Sequence, residues 1–124
     1  MSEHKVHVAA EDPAVRRSLR STIESYGVGE VVEMSPEGAA GAMVVAESRP
    51  GIVVLAVSSK PTPSRHVGWY REAAPTAYIV GFAFNEAERA SLAGGGTDEV
   101  VMSNVGRAGF LEVMRRAERQ ARSG

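Results

Sequence analysis

The sequence predicts an α/β fold: a doubly wound, three-layer sandwich with a five-stranded parallel sheet of order 2-1-3-4-5 and five helices. Three observations lead there. Ile52 to Val57 (IVVLAV) is an unbroken apolar run set between Pro50-Gly51 and Ser58-Ser59-Lys60. A β-branched run without polar alternation needs cover on both faces, as in a parallel sheet. Strand-like segments begin at Lys5, Glu30, Ile52, Tyr78 and Glu99, about every 21 to 26 residues, the length of one compact strand-helix unit. A helical pattern fills each interval, and right-handed crossovers then leave helices on both sides of the sheet.

Lys5 to Ala10 (KVHVAA) reads as the first strand. Asp12 follows as an N-cap, and Pro13 takes the first helical position, where its missing N–H costs nothing. The helix runs to about Tyr26, with Val15, Leu19 and Ile23 as its buried stripe and Arg16, Arg17, Arg20 and Glu24 towards water. Gly27 ends it. Val28 to Met34 supplies the second strand, and Ser35 with Pro36 repeats the cap-plus-proline start for a helix of small residues that reaches Ser48. Arg49, Pro50 and Gly51 turn the chain into the central strand. Lys60 to Ser64 (KPTPS) is a stiff loop. In the helix that follows, Ser64 to Ala73, Trp69 and Tyr70 are adjacent, so at most one faces inward. Ala77 to Phe82 is the fourth strand, Asn85 to Ala93 a short helix, and Gly94 to Gly96 its stop and turn. Glu99 to Met102 is the fifth strand, and Gly106 to Arg122 the last helix, with Phe110, Val113, Met114, Ala117 and Ala121 inward.

A chain of 124 residues is the usual size of one domain, so residues 1–124 are expected to form a single unit. A net charge of -1 and an apolar fraction of 44% argue against direct binding of nucleic acid. Absence of cysteine excludes disulfides and thiolate metal sites and suits a reducing cytoplasm. No targeting segment is visible and no apolar run approaches the roughly 18 residues of a membrane span, so a cytoplasmic location without membrane contact is expected. His4, His7 and His66 lack ligand spacing, so no metal is expected. Gly94 to Gly96 follows a helix and precedes a strand, the reverse of a phosphate cradle, and AEDPA after the first strand lacks the Ser, Thr and Gly of a flavin-phosphate loop. No cofactor is expected either. Ser58, Ser59, Lys60 and Thr62 read as solvated loop residues.

Twelve of the fourteen basic residues are arginines. Helices 1 and 5 should share one face of the sheet, which brings Arg16, Arg20, Arg115, Arg119 and Arg122 to the same side. The i, i+4 order of Glu112 with Arg116 and of Glu118 with Arg122 favours solvated pairs there over a docking patch.

Four passages follow one another along nearly the whole chain: AEDPAVR (Ala10 to Arg16), PGIVVLAV (Pro50 to Val57), YIVGFAF (Tyr78 to Phe84) and GTDEVVM (Gly96 to Met102). Together they resemble the receiver domains of bacterial two-component response regulators. Those domains open with a strand, an acidic pair and Val-Arg; their third and fourth strands read like P-D-V-V-L-L-D-V and V-I-V-L-T-A-F, and a G-A-x-x-Y-L-x-K passage is matched loosely. The resemblance implies the flavodoxin-like receiver fold and a part in phosphorelay signal transduction. In that family an Asp at the end of strand 3 accepts a phosphoryl group from a partner histidine kinase. Mg²⁺ is held by that Asp and the acidic pair, and a Lys and a Ser or Thr stabilise the phosphoryl oxygens. Carried across residue by residue, the acidic pair falls on Ala10 and Glu11, the nucleophile on Ala56, the hydroxyl on Phe82 and the Lys on Met102. The aromatic switch of strand 5 falls on Glu99.

Four of those five chemical groups are missing. A methyl group cannot accept a phosphoryl group, and one carboxylate is a poor Mg²⁺ cage. A slip of one residue would make Glu11 and Asp12 the acidic pair but would not restore Ala56. The losses also agree with one another, because removing only the carboxylates would strand a partly buried Lys at a cost of roughly 3–5 kcal/mol. Phe82, projecting among Ala10, Ala56 and Met102, would fill the emptied volume as a dry plug.

The expected protein is therefore an atypical, stand-alone receiver module, neither an enzyme nor phosphorylated at the usual strand-3 position. It is expected to act in bacterial signalling by docking to a protein partner. The resemblance implies a contact surface of helix 4, strand 5 and helix 5, also used for homodimers, which places Arg89, Glu99 and Arg107 at the partner surface. Two alternatives stay open: a sensor that binds a small ligand in the crevice at the ends of strands 1 and 3, and a phosphoryl acceptor using Ser58 or Ser59.

Overall fold

A computed structural model describes residues 5–10, 12–27, 30–35, 39–56 and 63–123. Strands and helices alternate: β1 (Lys5–Ala10), α1 (Pro13–Tyr26), β2 (Glu30–Ser35), α2 (Ala39–Ser48), β3 (Ile52–Ala56), α3 (Pro63–Ala73), β4 (Tyr78–Ala83), α4 (Glu86–Gly94), β5 (Glu99–Met102) and α5 (Gly106–Ser123). The strands form one sheet in the order β2-β1-β3-β4-β5, and all four pairings are parallel. A one-turn 3₁₀ helix, Ser103–Val105, joins β5 to α5 and was not foreseen from the sequence.

Local chemistry sets the helix ends. The Asp12 carboxylate accepts from Ala14 N at 2.9 Å, Pro13 opens α1, and Gly27 stops it at φ 68, in the left-handed region that favours glycine. At α4, Asn85 Oδ1 accepts from Glu88 N and Glu88 Oε1 accepts from Phe84 N, a reciprocal cap that explains why Glu88 is buried. Ser35, expected as the cap of the second helix, is instead the last residue of β2, and Pro36 lies outside the described residues.

The strands alternate cleanly between two apolar layers. Val6, Val8, Ala10, Ile52, Val54, Ala56, Val80 and Val101 pack with Leu19 and Ile23 of α1 and Phe110, Val113, Met114 and Ala117 of α5. On the other face Ala9, Val53, Leu55, Ile79 and Ala83 pack with Val45 of α2, Val67, Tyr70 and Ala74 of α3, and Leu92 of α4. Both faces of β1 and β3 are thus covered, the condition that the apolar run of β3 demanded. Tyr70 is buried and Trp69 half-buried, as their adjacency required. At Gly81 the close approach of Leu92 and Thr97 leaves little room for a side chain, since a Cβ would lie 3.1 Å from Leu92 Cδ1 and 3.4 Å from Thr97 Cγ2.

Among the described residues, no helix is long and apolar enough to cross a membrane.

Candidate functional site at the carboxyl ends of the strands

In an open parallel sheet the reactive position is the crevice at the carboxyl ends of the strands where the order reverses, here between β1 and β3. The last paired residues of those strands are Ala10 and Ala56, Cα partners across the ladder. Ala10 is 1% exposed and Ala56 3% exposed, so two buried methyl groups occupy the place where chemistry would be built. Phe82 is the next residue after Gly81, which pairs with Leu55, and so it sits level with Ala56 on β4. Its ring belongs to the α1/α5 layer with Ala10 and Ala56, and it meets Phe110 edge-on at 6.0 Å and Phe84 edge-on at 5.3 Å. An aromatic pair, Phe82 with Phe110, thus leads from the sheet to α5. Glu11 lies outside the described residues, as do Ser58, Ser59, Lys60 and Thr62.

Met102 does not join this group. It packs with Ala83, Leu92 and their neighbours on the α2–α4 side, while Ala10, Ala56 and Phe82 face α1 and α5. Successive residues of a strand point to opposite faces, so a shift of one position reverses the side. The β5 residue in the layer of Ala10, Ala56 and Phe82 is Val101, the Cα partner of Phe82. The Glu99 carboxylate faces α5, where Arg116 Nε donates to Oε2 at 3.1 Å, and Tyr78 Oη donates to Oε1 at 3.0 Å. Val100, the next residue, packs on the α2–α4 side instead.

Arg16 is a further correction. The sequence placed it in water, yet it is half-buried and its Nη1 donates to the Ala10 carbonyl at 2.5 Å. A guanidinium thus rests on the carboxyl end of β1, the edge of the crevice. Nothing in the helical pattern marks this residue, because its side chain reaches back past the helix start to the strand. The site is consequently apolar in its floor and cationic at one rim.

These residues do not fit a divalent cation. Hard cations need several carboxylate or carbonyl oxygens, and here two of the three positions where the resemblance expects carboxylates are methyl groups, and the Ala10 carbonyl is engaged by Arg16. Among the described residues no group of three acidic or histidine side chains converges.

Of the residues assigned to a partner surface, Arg89 bonds Glu86 of its own helix through Nε at 2.8 Å, and Glu99 is held by Arg116 and Tyr78. Arg107, in the first turn of α5, is exposed. Arg116 also reaches Glu112 at 3.6 Å, the expected i, i+4 pair, but its contact with Glu99 across the fold was not visible in the helix pattern.

No family model matches the chain, and no curated protein matches it. Solved structures do. A two-component response regulator of the LuxR family from Aurantimonas sp. SI85-9A1 aligns at a TM-score of 0.83 with 19% identity, over 95% of this chain and 86% of that one. The REC domain of AraT, a response regulator from Geobacillus stearothermophilus, aligns at 0.81 with 14% identity, over 97% of this chain and 96% of that one. The receiver domain of the sensor histidine kinase PA1611 from Pseudomonas aeruginosa, solved with a magnesium ion in its active-site cleft, aligns at 0.74 with 13% identity, over 94% of this chain and 98% of that one. The likeness spans nearly the whole length on both sides, and the fold is that of response-regulator receiver domains.

Proposed function

We propose that this chain is a receiver-fold signalling module that works by docking to a protein partner and does not accept a phosphoryl group at the end of β3. One observation carries the reading: the residues paired at the carboxyl ends of β1 and β3 are Ala10 and Ala56. Aspartyl phosphorylation needs a carboxylate nucleophile and a metal held beside it. Methyl groups supply neither. Phe82, packed on Phe110, supports the same reading, because an aromatic ring occupies the position of the hydroxyl that would bind phosphoryl oxygen.

With the chemistry gone, a fold of this kind retains its surfaces. The α4–β5–α5 face remains the proposed contact and homodimer surface, with Arg107 as its exposed cation; Arg89 and Glu99 shape it through the internal pairs with Glu86 and Arg116. Incubation with Mg²⁺ and acetyl phosphate, followed by intact-mass measurement, tests the proposal. No mass gain is expected, and a stable gain of one phosphoryl group would refute it.

A further inference from the structure

Helices α2 and α3 pack side by side on one face of the sheet, and because each returns the chain between parallel strands they run in the same direction. Between them lies a shallow groove of about 340 Å³ lined by Ala42, Met43, Ala46, Trp69, Glu72 and Ala73. Three of the six lining residues are alanines. Met43 on one wall is 71% exposed, and Trp69 on the other is half-buried. A single exposed apolar side chain is ordinary, but here Met43, Trp69 and three alanines line one groove, which makes its surface mostly apolar.

Charge distinguishes this groove further. Glu47 is the penultimate residue of α2 and Glu72 that of α3, each about one turn beyond the apolar wall residue of its own helix. The last turn of a helix carries partial negative charge and favours cations. Both helices therefore end with a carboxylate where their own dipoles oppose it. Among the described residues neither Glu47 nor Glu72 forms an ion pair. Arg71 is nearby in sequence but is spent on Asp98 and on the Ala77 and Gly96 carbonyls. Arg49 lines a neighbouring pocket with Pro75 and Thr76 and pairs with neither carboxylate.

We infer that this groove is a second docking surface, and that its occupant is a basic amphipathic helix of a partner protein. That helix would lay a bulky apolar side chain between Met43 and Trp69 and place a Lys or Arg one turn on, against Glu47 and Glu72. The occupant's cation answers both the carboxylates and the two helix ends, and its apolar residue covers exposed Met43. A shallow groove at the lower end of small-molecule pocket volumes, roughly 300–1,000 Å³, suits one or two side chains better than an enclosed ligand. This surface is separate from α4–β5–α5, and it rests on the reading of the domain as a docking module.

Trp69 is the single tryptophan of the chain, so its emission reports the groove directly. The probe is a synthetic helical peptide carrying Leu and Arg four residues apart on one face, titrated into the full chain. A saturable blue shift is expected, with binding weakened at least tenfold when Arg in the peptide becomes Glu or Leu becomes Ala. Glu47→Lys with Glu72→Lys should weaken binding at least tenfold and raise the melting temperature, since the last-turn charges then agree with the dipoles. Glu24→Lys with Glu112→Lys, an equal charge change on the other face, should leave the affinity unchanged. The proposal is overturned by no saturable shift, by equal binding of the Glu peptide, or by a groove variant that binds normally or melts no higher. It is also overturned if sedimentation shows a dimer that only the groove substitutions dissolve, for then a second copy is the occupant. Phosphoryl gain from acetyl phosphate would refute the proposed function without moving the Trp69 titration, so the two failures are distinguishable.

Discussion

Tyr78 on β4 donates its hydroxyl to the Glu99 carboxylate on β5, 3.0 Å away, and Arg116 of α5 binds the same carboxylate from the other side. Partial burial, followed by the hydrogen bond to Glu99 and its negative charge, pushes the Tyr78 phenol up from 10.0 to about 12. The folded state thus keeps a proton that the unfolded chain gives up from about pH 10. The contribution is whole below pH 10 and is lost as pH rises through 12. Glu99→Gln should lower the phenol's pKa and move its tyrosinate absorbance transition to lower pH. A transition that stays in place would show that Glu99 does not hold the phenol.

A second expectation concerns the emptied crevice. Ala56→Asp places a carboxylate at a site 3% exposed, beside the Ala10 methyl. An uncompensated buried charge costs about 3–5 kcal/mol when its partners are missing. The single variant should lose stability of that order in urea unfolding at neutral pH, and added Mg²⁺ should not restore it, because one new carboxylate is a poor cage. Ala10→Asp combined with Ala56→Asp should regain part of the loss in Mg²⁺. Full recovery of the single variant by Mg²⁺ would mean that ligands beyond the described residues complete a metal site, and the docking-only reading would fall.

Much of this fold is legible in the sequence because local chemistry and apolar period agree. Asp12-Pro13 opens α1, Gly27 closes it, and the IVVLAV run could be covered only by helices on both faces. The crevice was legible in part: Ala10 and Ala56 are paired where the strand endings placed them. The bounds of the last strand, Glu99 to Met102, were legible too, but the layer that Met102 faces was not. Between Gly96 and Met102 the apolar stretch is only Val100 to Met102, too short for its alternation to fix which residue faces which layer, and Met102 lies on the α2–α4 side instead of beside Ala10 and Ala56. Arg16 was missed for a different reason. Helix periodicity tells where a Cβ points, not how far a long side chain reaches back, and this guanidinium ends on the carbonyl of a strand residue six positions earlier.

Arg71 and Asp98 form the other cross-link that no local pattern announces. The guanidinium of α3 donates to the Ala77 carbonyl at 2.8 Å, to the Gly96 carbonyl at 3.2 Å and to Asp98 Oδ2 at 2.8 Å. Asp98 Oδ2 also accepts from the Ile79 backbone N–H at 2.7 Å. One carboxylate therefore ties the start of β4, the turn before β5 and the end of α3. Asp98→Ala leaves a part-buried N–H without its acceptor, and a loss of about 1–3 kcal/mol in urea unfolding is expected. Asp98→Asn keeps an acceptor oxygen and should lose less. Equal losses for the two variants would show that charge pairing with Arg71, not the N–H bond, is what matters.

His7 lies in the middle of β1, fully buried, with Val53 of β3 as its Cα partner in the ladder. Burial holds its imidazole neutral and lowers its pKa from 6.5 to about 4. Between those values the unfolded chain carries a proton that the folded chain refuses, so stability rises with pH across the window and falls as pH drops from 6.5 to 4. The shift corresponds to about 3 kcal/mol at pH 4 and below. His7→Leu removes the titrating group and keeps an apolar side chain of similar size. Carboxylates elsewhere also titrate towards the low end of this range, so the informative quantity is the difference between the two proteins. Urea unfolding at a series of pH values should show the wild type losing ground against His7→Leu from pH 6.5 downward, with the gap levelling off near pH 4. A gap that stays constant with pH would mean that His7 has the same proton affinity in the folded and unfolded chains.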